Sequence, residues 1–136
     1  MTSKSLSYIL RALDLNKCTC VVDKKIYYIK KAVKIKYESD GKTKYNISEY
    51  EFLVLTNDKQ KQGIILKCSD LDLHWYVFKK YRNQKVLSNA LRTGVINKVW
   101  PENKKITCCY EVEDFGSNKY ELTKHLAEIA DLELVN

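Results

Sequence analysis

Acidic residues two positions before a lysine are the closest approach of this sequence to a catalytic motif. In a metal-dependent nuclease, carboxylates hold a divalent ion while a lysine stabilises charge on the attacked phosphate. The sequence contains three such pairs, Asp23/Lys25, Asp40/Lys42 and Glu102/Lys104. With 21 lysines and 17 acidic residues among 136 positions, chance alone yields roughly three pairs. The spacing therefore assigns no catalytic residue, and a metal-dependent nuclease or other hydrolase ranks third among the functions considered.

Five cysteines are the candidate metal ligands. Residues two apart on a strand share a face, so the side chains of Cys18 and Cys20 are expected to point the same way. One cysteine of the adjacent pair Cys108 and Cys109 could meet them, and Cys68 could supply a fourth ligand. Structural zinc sites usually contain paired CxxC segments, and this sequence has none. The number of cysteines is odd, and residues 1–30 contain no apolar segment typical of a signal peptide, so we expect the cysteines to be reduced. We also expect no bound metal and no cofactor.

Basic residues are concentrated in two segments. Residues 1–44 carry 11 basic and 4 acidic groups and residues 76–109 carry 8 and 1, so each segment has a net charge of +7. Residues 45–75 carry −2 and residues 110–136 carry −5. A basic surface attracts anionic partners, with DNA or RNA as the first candidate, although a solvated lysine-rich face has the same composition. Only three of the 24 basic residues are arginine, so contact with phosphate is expected to dominate over base recognition.

The first candidate interface lies in the second basic segment, where Glu102 is the only acid between residues 73 and 110. Lys85, Asn89 and Arg92 share the exposed side of a helix predicted over 84–93. A hairpin is predicted next, from residues 95–100 and 105–111. A helix that enters a groove and is followed by a basic hairpin is organised like a winged helix. The predicted nucleic-acid-binding residues are Lys79, Lys80, Lys85, Asn89, Arg92, Lys98, Lys104 and Lys105.

A strand face is the second candidate interface. Over residues 26–37 the sequence alternates, and one face presents Tyr28, Lys30, Lys34 and Lys36. Faces that combine aromatic rings with lysines suit single-stranded nucleic acid, because bases stack on the rings while the lysines follow the phosphates. Packing of Tyr28 beneath a helix is the competing interpretation.

The elements that must position these residues form a single α+β domain over residues 1–136. We expect a mainly antiparallel sheet, N- and C-terminal helices, and a central two-helix segment followed by a β-hairpin. Apolar spacing predicts strands at 18–22, 26–37, 43–47, 49–56 and 63–68. It predicts helices beginning near residue 5, over 71–82, over 84–93 and from about residue 119, with Leu122, Leu126 and Ile129 buried in the last. The alternative for 71–82 is a strand over 73–78 that places His74, Tyr76 and Phe78 on one face.

These observations favour a small, basic, non-enzymatic nucleic-acid-binding accessory protein of a low-GC bacterium, phage or virus. The alternative is a protein–protein inhibitor or adaptor from a phage or mobile element that acts on a host nucleic-acid-processing protein, in an anti-CRISPR-like role. Because no apolar run approaches the roughly 18 residues of a membrane span, we expect a cytoplasmic protein without membrane contact, in the host cytoplasm if it is viral. The acidic C-terminal helix is expected to dock on a basic segment or to pair two copies into a homodimer.

Overall fold

The computed structural model describes residues 3–17, 20–69, 72–107 and 119–135. Within these ranges a seven-stranded sheet comprises β1 (Cys20–Asp23), β2 (Ile26–Ser39), β3 (Lys42–Asn57), β4 (Gln60–Ser69), β5 (Asp72–Val77), β6 (Lys105–Thr107) and β7 (Glu133–Val135). The α-helices in the same ranges are α1 (Ser3–Ala12), α2 (Val86–Arg92), α3 (Val95–Val99) and α4 (Lys119–Ile129). None of these helices is long and apolar enough to cross a membrane. The mixture of helices and a larger share of strands confirms the predicted α+β class.

The strands lie side by side in chain order, because tight turns connect the longest of them. β1 to β5 form an antiparallel meander, while β6 pairs in parallel with β5 and β7 in parallel with β6. Asp40-Gly41 joins β2 to β3, and Asp58-Lys59 joins β3 to β4, all four residues having positive φ. Two-residue turns of this kind match the twist of an antiparallel pair. The connection between the strands expected at 49–56 and 63–68 is therefore a short turn, and the two strands expected over 43–56 are one continuous strand.

The sheet is covered on both faces where β3, β4 and β5 lie side by side. In β3, Phe52 and Val54 pack on the side of α1, while Leu53 and Leu55 pack on the side of α2, α3 and α4. Phe52, Leu53 and Val54 are completely buried. A strand that is buried on both faces requires an uninterrupted apolar run rather than an alternating pattern, and residues 52–55 form such a run. The layers are thus one helix, the sheet, and three helices.

The helix predicted over residues 71–82 is wrong, and the alternative strand is confirmed. Leu73, Trp75 and Val77 of β5 face the α2–α4 side, whereas Tyr76 and the following Phe78 face the α1 side. Because β5 is covered on both faces, apolar side chains point to both of its faces. An apolar arc on a helical projection arises from such a run without any helix, so spacing alone misassigned the segment. The 3₁₀ turn at Lys79–Tyr81 follows immediately.

The hairpin predicted over residues 95–111 does not form as expected. Gly94 has a φ of 74° and begins α3 in the place of the first predicted strand. At the end of α3, the backbone N–H of Trp100 bonds to the carbonyl of Ile96. β6 pairs with β5 and β7, and not with residues 95–100 as a hairpin would require. Residues 108–111 lie outside the described ranges. The predicted helix over 84–93 is confirmed as α2, but the winged-helix-like order around it is wrong.

The buried side of the C-terminal helix agrees with the prediction at two of three residues. α4 contacts α2, and its buried residues include Thr123, Leu126 and Ala127. Leu126 and Ile129 were expected in the core, and they are buried and half-buried respectively. The expectation for Leu122 is wrong, since this side chain is 54% exposed. α4 thus packs against α2, the helix that begins just after Lys85 and ends at Arg92.

Replacing Leu126 with alanine is expected to destabilise the protein by about 2–4 kcal/mol, the usual cost of a cavity at a buried leucine. The matched control is Leu122→Ala on the exposed side of the same helix, which is expected to change the free energy of unfolding by less than about 0.5 kcal/mol. Urea unfolding followed by circular dichroism measures both. Equal losses for the two variants would contradict the packing of α4 described here.

Candidate nucleic-acid interface

An open groove of about 610 Å³ lies where the end of α1 meets the start of β4 and the end of β5. Its lining combines four basic residues, three aromatic residues and one amide, without an acidic residue. These are Arg11, Lys61, Lys79 and Lys80, then Tyr76, Phe78 and Tyr81, and Gln60. A groove with this lining can place cations beside phosphates and rings beside bases.

The aromatic part of the groove is positioned by β5. Residues 76 and 78 share the α1 side because side chains alternate along a strand. Their rings meet edge to face at 6.0 Å between centroids, with an interplanar angle of 89°. The backbone N–H of Phe78 bonds to the carbonyl of Gln62 at 2.9 Å, and that of Tyr81 bonds to the carbonyl of Phe78 at 2.9 Å. The 3₁₀ turn therefore holds Lys79, Lys80 and Tyr81 against the end of the sheet.

Cations lie over the rings of this groove. The Arg11 guanidinium is 5.2 Å from the centroid of Phe78, and that of Arg82 is 5.4 Å from Tyr76. The Lys80 ammonium is 5.0 Å from the centroid of Tyr81. These distances fall within the range of cation–π attraction. The arginines are thus oriented by the same rings on which a base would stack.

Lys61 has a structural role at the edge of the groove. Its Nζ donates to the carbonyl oxygens of Arg11 and Leu13, each at 2.8 Å. These carbonyls lie at the C-terminal end of α1, where no further turn of helix satisfies them. Burial lowers the pKa of Lys61, and the nearby Asp14 carboxylate opposes that shift. Lys61 therefore fixes the end of α1 to β4, which leaves Arg11, Lys79 and Lys80 as the lining cations for a ligand.

The structure divides the first predicted interface between two places. Lys79 and Lys80 line the groove. Lys85, Asn89 and Arg92 are exposed on or beside α2, and Lys98 is exposed on α3. Lys104 is exposed and Lys105 is half-buried at the start of β6. Because α2 and α3 cover the sheet face opposite α1, the eight residues do not form one surface.

The second predicted face is also divided. Tyr28 is half-buried against the α2–α4 cluster, and its hydroxyl donates to the Glu51 carboxylate. Lys30 pairs with Glu49 at 3.2 Å. Lys34 lies 4.3 Å from the centroid of the Tyr45 ring. The side chain of Lys36 lies outside the part of the chain that the structure describes.

Glu51 anchors the buried end of this face. It accepts from the Tyr28 hydroxyl and from Trp100 Nε1 at 3.4 Å, and its other oxygen is 3.2 Å from Lys67 Nζ. Burial raises the pKa of Glu51, but these donors and the charge of Lys67 outweigh burial, so the pKa is lowered overall. Tyr28 is therefore held by a carboxylate beneath the helical layer.

Six groove residues were missed by sequence reasoning: Arg11, Gln60, Lys61, Tyr76, Phe78 and Tyr81. The strand alternative over 73–78 already placed Tyr76 and Phe78 on one face. No local signal connects Arg11 with Lys79, since they are brought together only when α1 packs across β4 and β5. The prediction of Lys79 and Lys80 rested on the charge of their segment alone.

A second cluster of reactive side chains lies on the same sheet face, at the other end of the β4–β5 pair. Cys68, Asp72 and His74 each offer a donor atom, and these atoms all lie within 4.8 Å of one another. His74 is 7% exposed, and its Nε2 is 3.4 Å from Oδ2 of Asp72. Burial lowers the pKa of His74, which Asp72 partly offsets.

This cluster differs from the cysteine set considered in the sequence. β1, which carries Cys20, is separated from β4 by two strands, a distance of about 14 Å. Cys18, Cys108 and Cys109 lie outside the described residues. Of the five thiols, Cys68 is the one that the described structure places beside other metal-binding side chains.

No protein-family model, curated protein or solved structure matches this chain.

Proposed function

We propose that this protein binds single-stranded nucleic acid in the groove between α1 and the end of β5, without sequence specificity and without catalysing a reaction. The observation that carries the proposal is the lining itself, in which Arg11, Lys79 and Lys80 surround three aromatic rings with no acidic side chain among them. Single strands expose base faces that stack on aromatic side chains, while cations follow the backbone. A duplex keeps its bases stacked on one another and cannot use the rings.

The charge of the chain supports this assignment. A net charge of +7 attracts a polyanion over distances beyond direct contact. The lysines provide point charges suited to phosphate. Flexible lysines and half-exposed rings give no fixed pattern of donors and acceptors for a base edge, so any sequence preference is expected to be weak.

The test is a comparison of single strands and duplexes of equal length by fluorescence anisotropy in 50 mM salt. We expect single strands to bind at least about tenfold more tightly, because stacking contributes about 1–3 kcal/mol per base. For the same reason, Tyr81→Ala should weaken single-strand binding about tenfold. Tyr81 is half-buried on the 3₁₀ turn, outside the buried cores.

The matched control is Tyr45→Ala, which removes an exposed tyrosine far along β3 from the groove. It should leave affinity for single strands unchanged. Equal affinity for duplex and single strand, or equal losses in the two tyrosine variants, would contradict the stacking role of the groove.

A protein–protein adaptor or inhibitor is the second candidate function, and a specific surface favours it. Residues 42–50 of β3 pair with β2 alone among the described strands, so this part of the two strands forms a projecting ribbon. Tyr45 is 60% exposed and Ile47 is 68% exposed on one face of this ribbon. Exposed aromatic and aliphatic side chains are typical of protein-binding surfaces rather than of phosphate contacts.

A pull-down from nuclease-treated host lysate tests the adaptor function. A direct protein partner should be retained by the wild-type chain and lost with the pair Tyr45→Ala and Ile47→Ser. The groove variant Tyr81→Ala serves as the matched control and should retain the partner. Capture that disappears on nuclease treatment would instead assign the interaction to bound nucleic acid.

A further inference from the structure

The three donors at the end of the β4–β5 hairpin belong to different ligand classes. Cys68 offers a thiol sulfur, Asp72 a carboxylate oxygen and His74 an imidazole nitrogen. Sulfur, nitrogen and oxygen donors of this kind all bind zinc, whereas calcium and magnesium take oxygen ligands. The composition of the cluster therefore selects for a borderline transition metal.

The separation of the donors fits a zinc tetrahedron. Nitrogen and oxygen ligands about 2.0–2.1 Å from zinc stand roughly 3.3 Å apart when the geometry is tetrahedral. His74 Nε2 and Asp72 Oδ2 are 3.4 Å apart. The sulfur of Cys68 lies within 4.8 Å of both, so a shift of about 1 Å would complete three corners of the tetrahedron.

An irregularity in the sheet brings these donors together. Leu66 stands opposite His74 and Lys67 opposite Leu73, but the register shifts between Lys67 and Ser69, and Ser69 then stands opposite Asp72. Cys68 is thus the extra residue of a bulge. Bulges re-aim side chains and are frequent beside functional sites. Here the bulge sets a thiol across from a carboxylate and next to a buried imidazole.

We propose that Cys68, Asp72 and His74 form a zinc site that closes the end of the β4–β5 hairpin. Binding converts the Cys68 thiol to a thiolate and releases its proton to solvent. Among the described residues no fourth His, Cys, Asp or Glu joins the cluster, so the fourth position falls to water or to a further ligand. This site is separate from the groove and does not depend on the proposed function.

Native mass spectrometry and competition with a chromophoric chelator test the site with zinc alone. The wild-type chain should bind one zinc ion with micromolar or tighter affinity, and a hundredfold excess over Kd should raise Tm by about 5 °C or more. Cys68→Ser and His74→Gln should each weaken zinc binding by at least about a hundredfold. With cobalt in place of zinc, the thiolate charge-transfer absorption should vanish in Cys68→Ser.

Matched controls separate this site from the other thiols and from the second histidine. Cys20→Ser and the exposed His125→Gln should bind zinc as the wild type does. If His74→Gln fails to fold, Asp72→Asn provides the same test, because the Asp72 side chain is 31% exposed and tolerates the change. Absence of one-to-one zinc binding would overturn the proposal. So would zinc binding that survives Cys68→Ser but is lost in Cys20→Ser.

Discussion

Reversing the charges of Arg11, Lys79 and Lys80 to glutamate together is expected to weaken single-strand binding by about 500-fold or more in 50 mM salt. Each phosphate contact to a single strand contributes a factor of about eight at this salt concentration through release of counterions. Three contacts multiply to about 500, and the added negative charges repel the strand further. Fluorescence anisotropy with a labelled oligothymidylate measures the loss.

The matched control reverses three exposed charges on the opposite sheet face, Lys85, Arg92 and Lys98. Both triple variants change the net charge by the same six units, so any effect of overall charge is common to them. We expect the control to retain affinity within about fivefold of the wild type, since it loses only long-range attraction. If the control variant lost as much affinity as the groove variant, the interface would lie on α2 and α3, where the sequence first placed it.

Salt should weaken the complex less steeply than the total charge of the chain implies. With Arg11, Lys79, Lys80 and the adjacent Arg82 as phosphate contacts, the slope of log affinity against log salt is about −2.8 for a single strand. Between 50 and 200 mM salt, affinity should therefore fall about 50-fold. Six contacts on a duplex would instead produce a fall of more than a thousandfold.

The slope also distinguishes the groove from a diffuse basic surface. In the triple groove variant the remaining affinity should vary with a slope near −0.7, that of a single contact. A wild-type slope of −5 or steeper would mean that contacts extend far outside the groove. Affinity that does not change with salt would exclude phosphate recognition altogether.

Strand β2 was predictable from its local pattern, because its sequence alternates between a largely apolar face and a face that carries lysines. Alternation over 26–37 correctly separated Tyr27, Ile29 and Val33 on the α1 side from Tyr28 on the other. The strand predicted over 49–56 is also present, as part of β3. In such segments successive side chains alternate between the two faces of the sheet, so the burial of each face appears directly in the sequence pattern.

The errors arose where tertiary packing overrides that period. β5 is apolar on both faces because helices cover both, so its residues also satisfy a helical pattern. The sequence predicted a helix over 84–93 followed by a strand over 95–100. Gly94, in a left-handed conformation, instead forms a junction between α2 and α3. Leu122 was assigned to the core from spacing, yet the stripe at Thr123, Leu126 and Ala127 faces α2.

The candidate site was less predictable than the fold, because its parts are distant in sequence. Arg11 and Phe78 are 67 positions apart and meet only through the packing of α1 on β4 and β5. The same holds for the bulge at Cys68, since a one-residue register shift leaves no mark in composition. Lys79 and Lys80 were identified from charge, but the rings that give them a chemical context came from the structure.

Photo-cross-linking of an iodouracil-substituted single strand, followed by peptide mapping, identifies the side chains on which the bases stack. Iodouracil reacts with the aromatic side chain on which it stacks, so the position of the cross-link identifies the stacking platform. We expect cross-links on Tyr76, Phe78 or Tyr81 that unlabelled single strand competes away and that are absent in the triple groove variant. Cross-links confined to Tyr45 or to the α2–α3 segment, or no saturable cross-link in 50 mM salt, would contradict this expectation.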